Sequence, residues 1–184
     1  MRRTFILVFS ILLCGYSMQS IANDINIIRI EGKRVNDFYF VDARLTVQLT
    51  KDAREAVESG VPLVFAFEFE IRQPRRWLWD STLLALRRTY KLERHALANR
   101  YVITDIVGNK RLAAPSLDDA LAELGELHDV AIGKAAELLN HGESSGRMRV
   151  RLDIESLPAP LRPIAYISPS WHIGSDWRNW DLVP

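Results

Sequence analysis

Four histidines, His95, His128, His141 and His172, are the side chains best suited to acid–base work or metal binding near neutral pH, and their spacing suits neither. No two lie three or four residues apart, there is no HExxH run, and no cysteine stands near them, so no metal site is expected. His128 and Asp129 are adjacent, and adjacent side chains point apart, so they do not read as a base with its orienting acid. A GxSxG nucleophile setting and a glycine-rich phosphate loop are both missing. The acidic pair Asp118 and Asp119 is explained by the helix N-terminus it occupies. No catalytic residue and no cofactor is therefore expected. An enzyme stays open only as an alternative that would need polar groups converging in a pocket.

Arginine and tryptophan carry the more informative pattern. Residues 72–100 hold eight basic side chains, Arg72, Arg75, Arg76, Arg87, Arg88, Lys91, Arg94 and Arg100, against Asp80 and Glu93. Residues 116–143 hold seven acids against Lys134 alone. In the preferred reading the acidic segment lies near the basic hairpin and the two fields cancel. In the sharper one Arg75, Arg76, Trp77 and Trp79 form a docking tip for an acidic partner or for anionic lipid headgroups. Trp171, Trp177 and Trp180 pose the same choice. They either cover the open end of a sandwich or present an aromatic interaction surface.

The elements that must position these residues are mostly strands. Leu63, Phe65, Phe67, Phe69 and Ile71 share one parity, with Glu68, Glu70 and Arg72 on the other, which predicts a half-buried antiparallel strand that anchors the core. Tyr39, Val41, Ala43, Leu45 and Val47 alternate in the same way within a strand predicted over 35–49, after a short strand or arm at Ile25–Ile30. Thr50 caps a helix over 51–59, stopped by Gly60 as a left-handed residue. A loop is predicted over 73–80 and a third strand over 81–93. In that strand Arg88 shares the apolar parity, which predicts a bulge near Arg87 and Arg88 or an edge position, the alternative being an inward arginine. Further strands are marked by Tyr101, Ile103 and Ile106, by Lys110–Ala113, by Val130–Ile132 and by the alternation from Met148 to Ile154. Ser116 and Asp119 form a capping box for a helix over 117–127, and a helical turn closed by Gly142 follows at 134–140. Pro158, Pro160 and Pro163 predict an extended connection that excludes helix. These elements make a mainly β, two-layer antiparallel sandwich of immunoglobulin-like kind with one or two short helices.

Composition and address agree with one exported domain. The chain has 184 residues, 48% of them apolar and 26% charged, ordinary proportions for a globular domain. Arg2 and Arg3 precede an apolar run from Thr4 to Cys14, and Ser20, Ile21 and Ala22 supply a cleavage site, so residues 1–22 read as a secretory signal peptide. An uncleaved N-terminal membrane anchor is the alternative. Leu13 before Cys14 argues against a lipoprotein. Cleavage leaves residues 23–184 as a single domain and removes the only cysteine, which excludes disulfides and thiol chemistry. Export also excludes nucleic acid as a partner, whatever the arginine count suggests.

The stretches Ala56–Leu63, Arg76–Asp80, Tyr101–Ile103, Leu117–Leu124 and Arg149–Leu161, with Trp171, Ser175 and Trp177, occur in an order that resembles the bacterial family catalogued as domain of unknown function 4390. The resemblance implies an exported protein of Gram-negative bacteria, often encoded beside a membrane sensor histidine kinase of the nitrogen-regulation type. It implies no activity and no catalytic residue. The expected function is a periplasmic, non-enzymatic module that binds another envelope protein, with that kinase as the partner the resemblance suggests. A small-ligand or lipid-binding sandwich is the second class, marked by an enclosed apolar cavity.

Overall fold

The computed structural model describes residues 24–75, 78–139 and 144–182, the side chains of 74–80 excepted. The predicted signal peptide, Arg76, Trp77, His141 and Gly142 thus lie outside the described residues. Strands β1 (Ile25–Val35), β2 (Phe38–Val47) and β7 (Glu126–Lys134) form one antiparallel sheet in the order β1-β2-β7. Strands β3 (Leu63–Arg75), β4 (Leu78–His95), β5 (Arg100–Asp105), β6 (Arg111–Ala114), β8 (Ser145–Leu152) and β9 (Arg178–Asp181) form the other, in the order β6-β5-β4-β3-β8-β9. The result is a mainly β sandwich, divided into three and six strands where an immunoglobulin constant domain has four and three.

Alternation sets which faces meet. Leu63, Phe65, Phe67, Phe69 and Ile71 point inward from β3 and are essentially without solvent contact. They join Tyr39, Val41, Leu45 and Val47 of β2 in one apolar cluster. Phe67 meets the edge of Tyr90 at 5.0 Å between ring centroids. Each of these large side chains stabilises the fold by about 1.5–3 kcal/mol through burial. The N-terminal arm is a full strand of 11 residues, and the long strand expected over 35–49 is cut by a turn in which Asn36 adopts φ 55°. An asparagine tolerates that left-handed conformation, and the turn converts one long alternation into a hairpin.

Four short helices occur among the described residues. Helix α1 (Lys51–Glu58) is capped by Thr50, whose hydroxyl accepts from the Ala53 N–H, and Gly60 follows it at φ 89°. Helix α2 (Leu117–Leu124) is capped by Ser116, which accepts from the Asp119 N–H at 3.1 Å. It stops short of Leu127 because Gly125 leaves the helix to accept a hydrogen bond from the Leu45 N–H at 2.9 Å, and the chain joins β2 as β7. That strand runs for nine residues where three were expected. Helix α3 (Ala135–Leu139) follows at once. Helix α4 (Arg162–Ile167) overturns the reading of the proline segment as wholly extended: Pro163 sits in its first turn, where the missing N–H costs nothing. No described helix is long and apolar enough to cross a membrane.

Candidate functional site

The predicted loop at 73–80 is instead the end of a hairpin. Pairing between β3 and β4 continues to Arg75 opposite Leu78, past Arg72 opposite Ser145, the last rung between β3 and β8. Beyond that rung no third strand joins the hairpin among the described residues, and register shifts after Ile71 and after Gln73 twist this two-stranded ribbon. Of the candidate docking residues, Arg75 and Trp79 belong to this ribbon by their backbone, their side chains lie outside the described residues, and Arg76 and Trp77 lie outside them entirely. The β1–β2 turn stands at the same end of the sandwich. Gly133 of β7 pairs with Tyr39 and lies against Leu84, which pairs with Ile71 just below the ribbon. Val35 and Phe38 at that turn are about half exposed, at 47% and 48%.

The terminal tryptophans do not form one surface. Trp171 and Trp180 are buried and belong to the core cluster. The cause at position 180 is Gly146, opposite it across β8 and β9: a Cβ there would fall 2.2 Å from the indole, so only glycine admits the ring. Trp177 lies on the outer face, half-buried, with the guanidinium carbons of Arg147 and Arg149 at 4.1 and 4.5 Å from its ring centre. Those arginines are held in turn by Glu70 and Glu68. Arg149 Nε donates to Glu68 Oε2 and Arg151 Nη2 to Glu68 Oε1, each at 2.6 Å. Burial alone would raise the Glu68 carboxyl, but the Arg149 hydrogen bond and the Arg151 charge outweigh it and hold the group below its usual range.

The acidic segment does not neutralise the basic hairpin through the ion pairs described. Asp118 pairs with Arg54, Glu126 with Arg44, and Asp129 with Lys33, at 2.9, 2.6 and 2.7 Å. On the hairpin Arg87 pairs with Asp153, and Arg94 donates to the Glu58 carbonyl. Adjacency in sequence of opposite charge blocks says nothing of adjacency in space, which the sheet order decides. His128 and Asp129 behave as separate groups: His128 is exposed, and the Asp129 carboxylate serves Lys33, whose ammonium is pushed up to about 12 by its hydrogen bonds to Asp129 and Asp42. No cluster of three or more metal-ligating side chains occurs among the described residues.

At Arg88 the strand pairing decides between a bulge and an edge position. The β3–β4 register is unbroken at this point, with Arg88 opposite Phe67, so there is no bulge. The residue nevertheless occupies an edge, because β5 joins β4 only from Tyr90 onward. There it lines an open cavity of about 490 Å³ between β7 and α2 on one side and β4, β5 and the β5–β6 turn on the other.

Two antiparallel sheets closed on a filled apolar interior define the class of the protein as a mainly β sandwich. The chain belongs to the family described as Domain of unknown function (DUF4390), which matches residues 22–181. No curated protein and no solved structure matches it.

Proposed function

We propose that the protein is an exported, non-enzymatic module of the bacterial cell envelope that docks another envelope protein through the end bearing the β3–β4 ribbon and the β1–β2 turn. The observation that carries this reading is the ribbon itself, which continues past its last neighbouring strand. Among the described residues it adds the rungs of Gln73 opposite Ser81 and Arg75 opposite Leu78, and a two-stranded ribbon is marginal in water and adds little to the core, which supports a role outside the fold. Its sequence concentrates arginine and tryptophan, the residues most often found at interface hot spots. Exposed Val35 and Phe38 add apolar area beside it. Export is supported by the signal-like residues 1–22, and the family resemblance makes the periplasmic part of a sensor histidine kinase the first partner to test.

A photo-reactive amino acid placed at Phe38 or Arg75 of the exported protein tests the docking. A single adduct with a membrane protein is expected from both positions, and none from Leu97, which is fully exposed in the β4–β5 turn at the far end of the hairpin. Equal labelling from Leu97, or no protein adduct from the ribbon, would overturn the reading. Adducts with lipid alone would point to the anionic membrane surface instead.

A further inference from the structure

The cavity beside β7 combines an apolar floor with a cation that has no counter-ion. Ile103, Leu124, Leu127 and Val130 line it and are buried, and Leu112 at its rim is 46% exposed. Arg88 shares its face of β4 with Leu84, Leu86, Tyr90 and Leu92 and is half-buried, yet it makes no hydrogen bond and no ion pair among the described residues. Its nitrogens are not sealed from water, so the guanidinium stands open to an arriving anion. The Tyr90 hydroxyl, two residues along the same face, makes no hydrogen bond among the described residues, and its ring is fixed on Phe67. The lining acids do not serve Arg88. Asp105 accepts from the Val107 and Gly108 N–H groups at 3.0 and 2.9 Å, Glu126 is held by Arg44, and Asp129 by Lys33. The other charges that line the opening are Arg88, Lys110 and Arg111 against Asp105 and Glu123, which leaves a small positive balance. Arg111, opposite Thr104, and Lys110 are exposed at the rim.

We infer that this opening binds a small organic anion, a carboxylate carried on an apolar body, with Arg88 as its counter-ion and the Tyr90 hydroxyl as a second donor. Arginine's planar fork matches a carboxylate with two parallel hydrogen bonds, and the buried aliphatic floor suits the hydrocarbon part. The volume of about 490 Å³ lies within the range of about 300–1,000 Å³ usual for small-molecule sites. Burial raises the Tyr90 phenol, the Asp105 carboxylate adds to this, and Arg88 opposes it only in part, so the hydroxyl stays protonated and able to donate at neutral pH. The inference is independent of docking through the ribbon, since the two sites share no residue.

Calorimetric titration of the mature protein with octanoate, octanamide and acetate tests it. Octanoate is expected to bind saturably at one site, octanamide at least about tenfold more weakly, and acetate without saturation. Arg88→Leu should weaken octanoate by at least about tenfold, with Arg88→Lys intermediate because it keeps the charge and loses the fork. Arg178→Leu, in the separate cleft between β1 and β9, should change nothing. Octanoate binding that is undetectable, matched by octanamide, or unchanged in Arg88→Leu would overturn the proposal. Should Arg88→Leu fail to fold, nuclear Overhauser contacts in the wild type decide: contacts from the octanoate chain to the methyls of Ile103, Leu124 and Val130 support the site, and contacts elsewhere sink it.

Discussion

Glu68 receives two arginines on the outer face of the larger sheet, and its side chain is only 15% exposed. Its carboxyl is held below the usual range, so the folded state gains stability from its charged form above the unfolded value of about 4.3 and loses it as pH falls through the lower folded value. Glu68→Gln should therefore cost about 1–3 kcal/mol at pH 7, half-exposed Arg151 keeping it toward the lower end. In urea melts from pH 7 downward, the gap to wild type should close below the carboxylate range. A gap that stays constant with pH would show that the pair does not set the stability. Parity alone assigned Glu68 and Arg149 to a wet face, because a period of two is a local property of the strand. Their pairing was not legible, since it depends on the register between β3 and β8, two strands about eighty residues apart in sequence. The tryptophans show the same limit. An indole has apolar bulk and a polar edge, so nothing local separated buried Trp180 from half-buried Trp177 until Gly146 was placed beneath one of them.

Elements whose ends are marked by local chemistry were read well, and those ended by a distant strand were not. Thr50 and Ser116 cap their helices through bonds that span three residues, and both starts fall where the sequence placed them. The end of α2 is different, because the apolar stripe continues to Leu127 while the backbone turns away at Gly125 to meet Leu45. Two substitutions separate these causes. Ser116→Ala should cost about 1 kcal/mol by removing the cap. Gly125→Ala should cost more, because the new Cβ would fall 2.3 Å from the Leu45 carbonyl oxygen, a backbone atom in a paired strand that cannot step aside. Chemical denaturation checks the order. If Gly125→Ala were the milder of the two, the helix end would be set by helix propensity and not by the joint with β2. Prolines misled for a related reason: Pro163 forbids a helix interior but favours a first turn, and which applies depends on where Arg162 begins the helix.

At the scale of the whole molecule, the two charge blocks are distributed over separate partners. Asp118 is bonded to Arg54 of α1, and the hairpin's Arg87 to Asp153 beside β8, so each block is partly neutralised by neighbours other than the opposing block. A sandwich was foreseeable from many short alternating segments, but the order of strands that decides these neighbours was not. The arrangement sharpens the expectation for the ribbon. If these arginines serve docking, replacing Arg75 and Arg76 with Glu should change stability by no more than about 1 kcal/mol. Association with the envelope partner should weaken and lose most of its salt dependence, because steering by these charges is screened beyond about 8 Å at physiological ionic strength. If the ribbon were instead held by the acidic helix, the reversal would lower the melting temperature and Asp118→Lys with Asp119→Lys would restore it. Arg54 makes that rescue unexpected, because lysine at 118 would face a cation that the native aspartate neutralises. The four-way cycle should accordingly show additive stability changes, with the binding defect following the ribbon charges alone. Recovery of stability in the double reversal, together with undiminished capture of the partner, would assign the arginines to the fold and remove them from the interface.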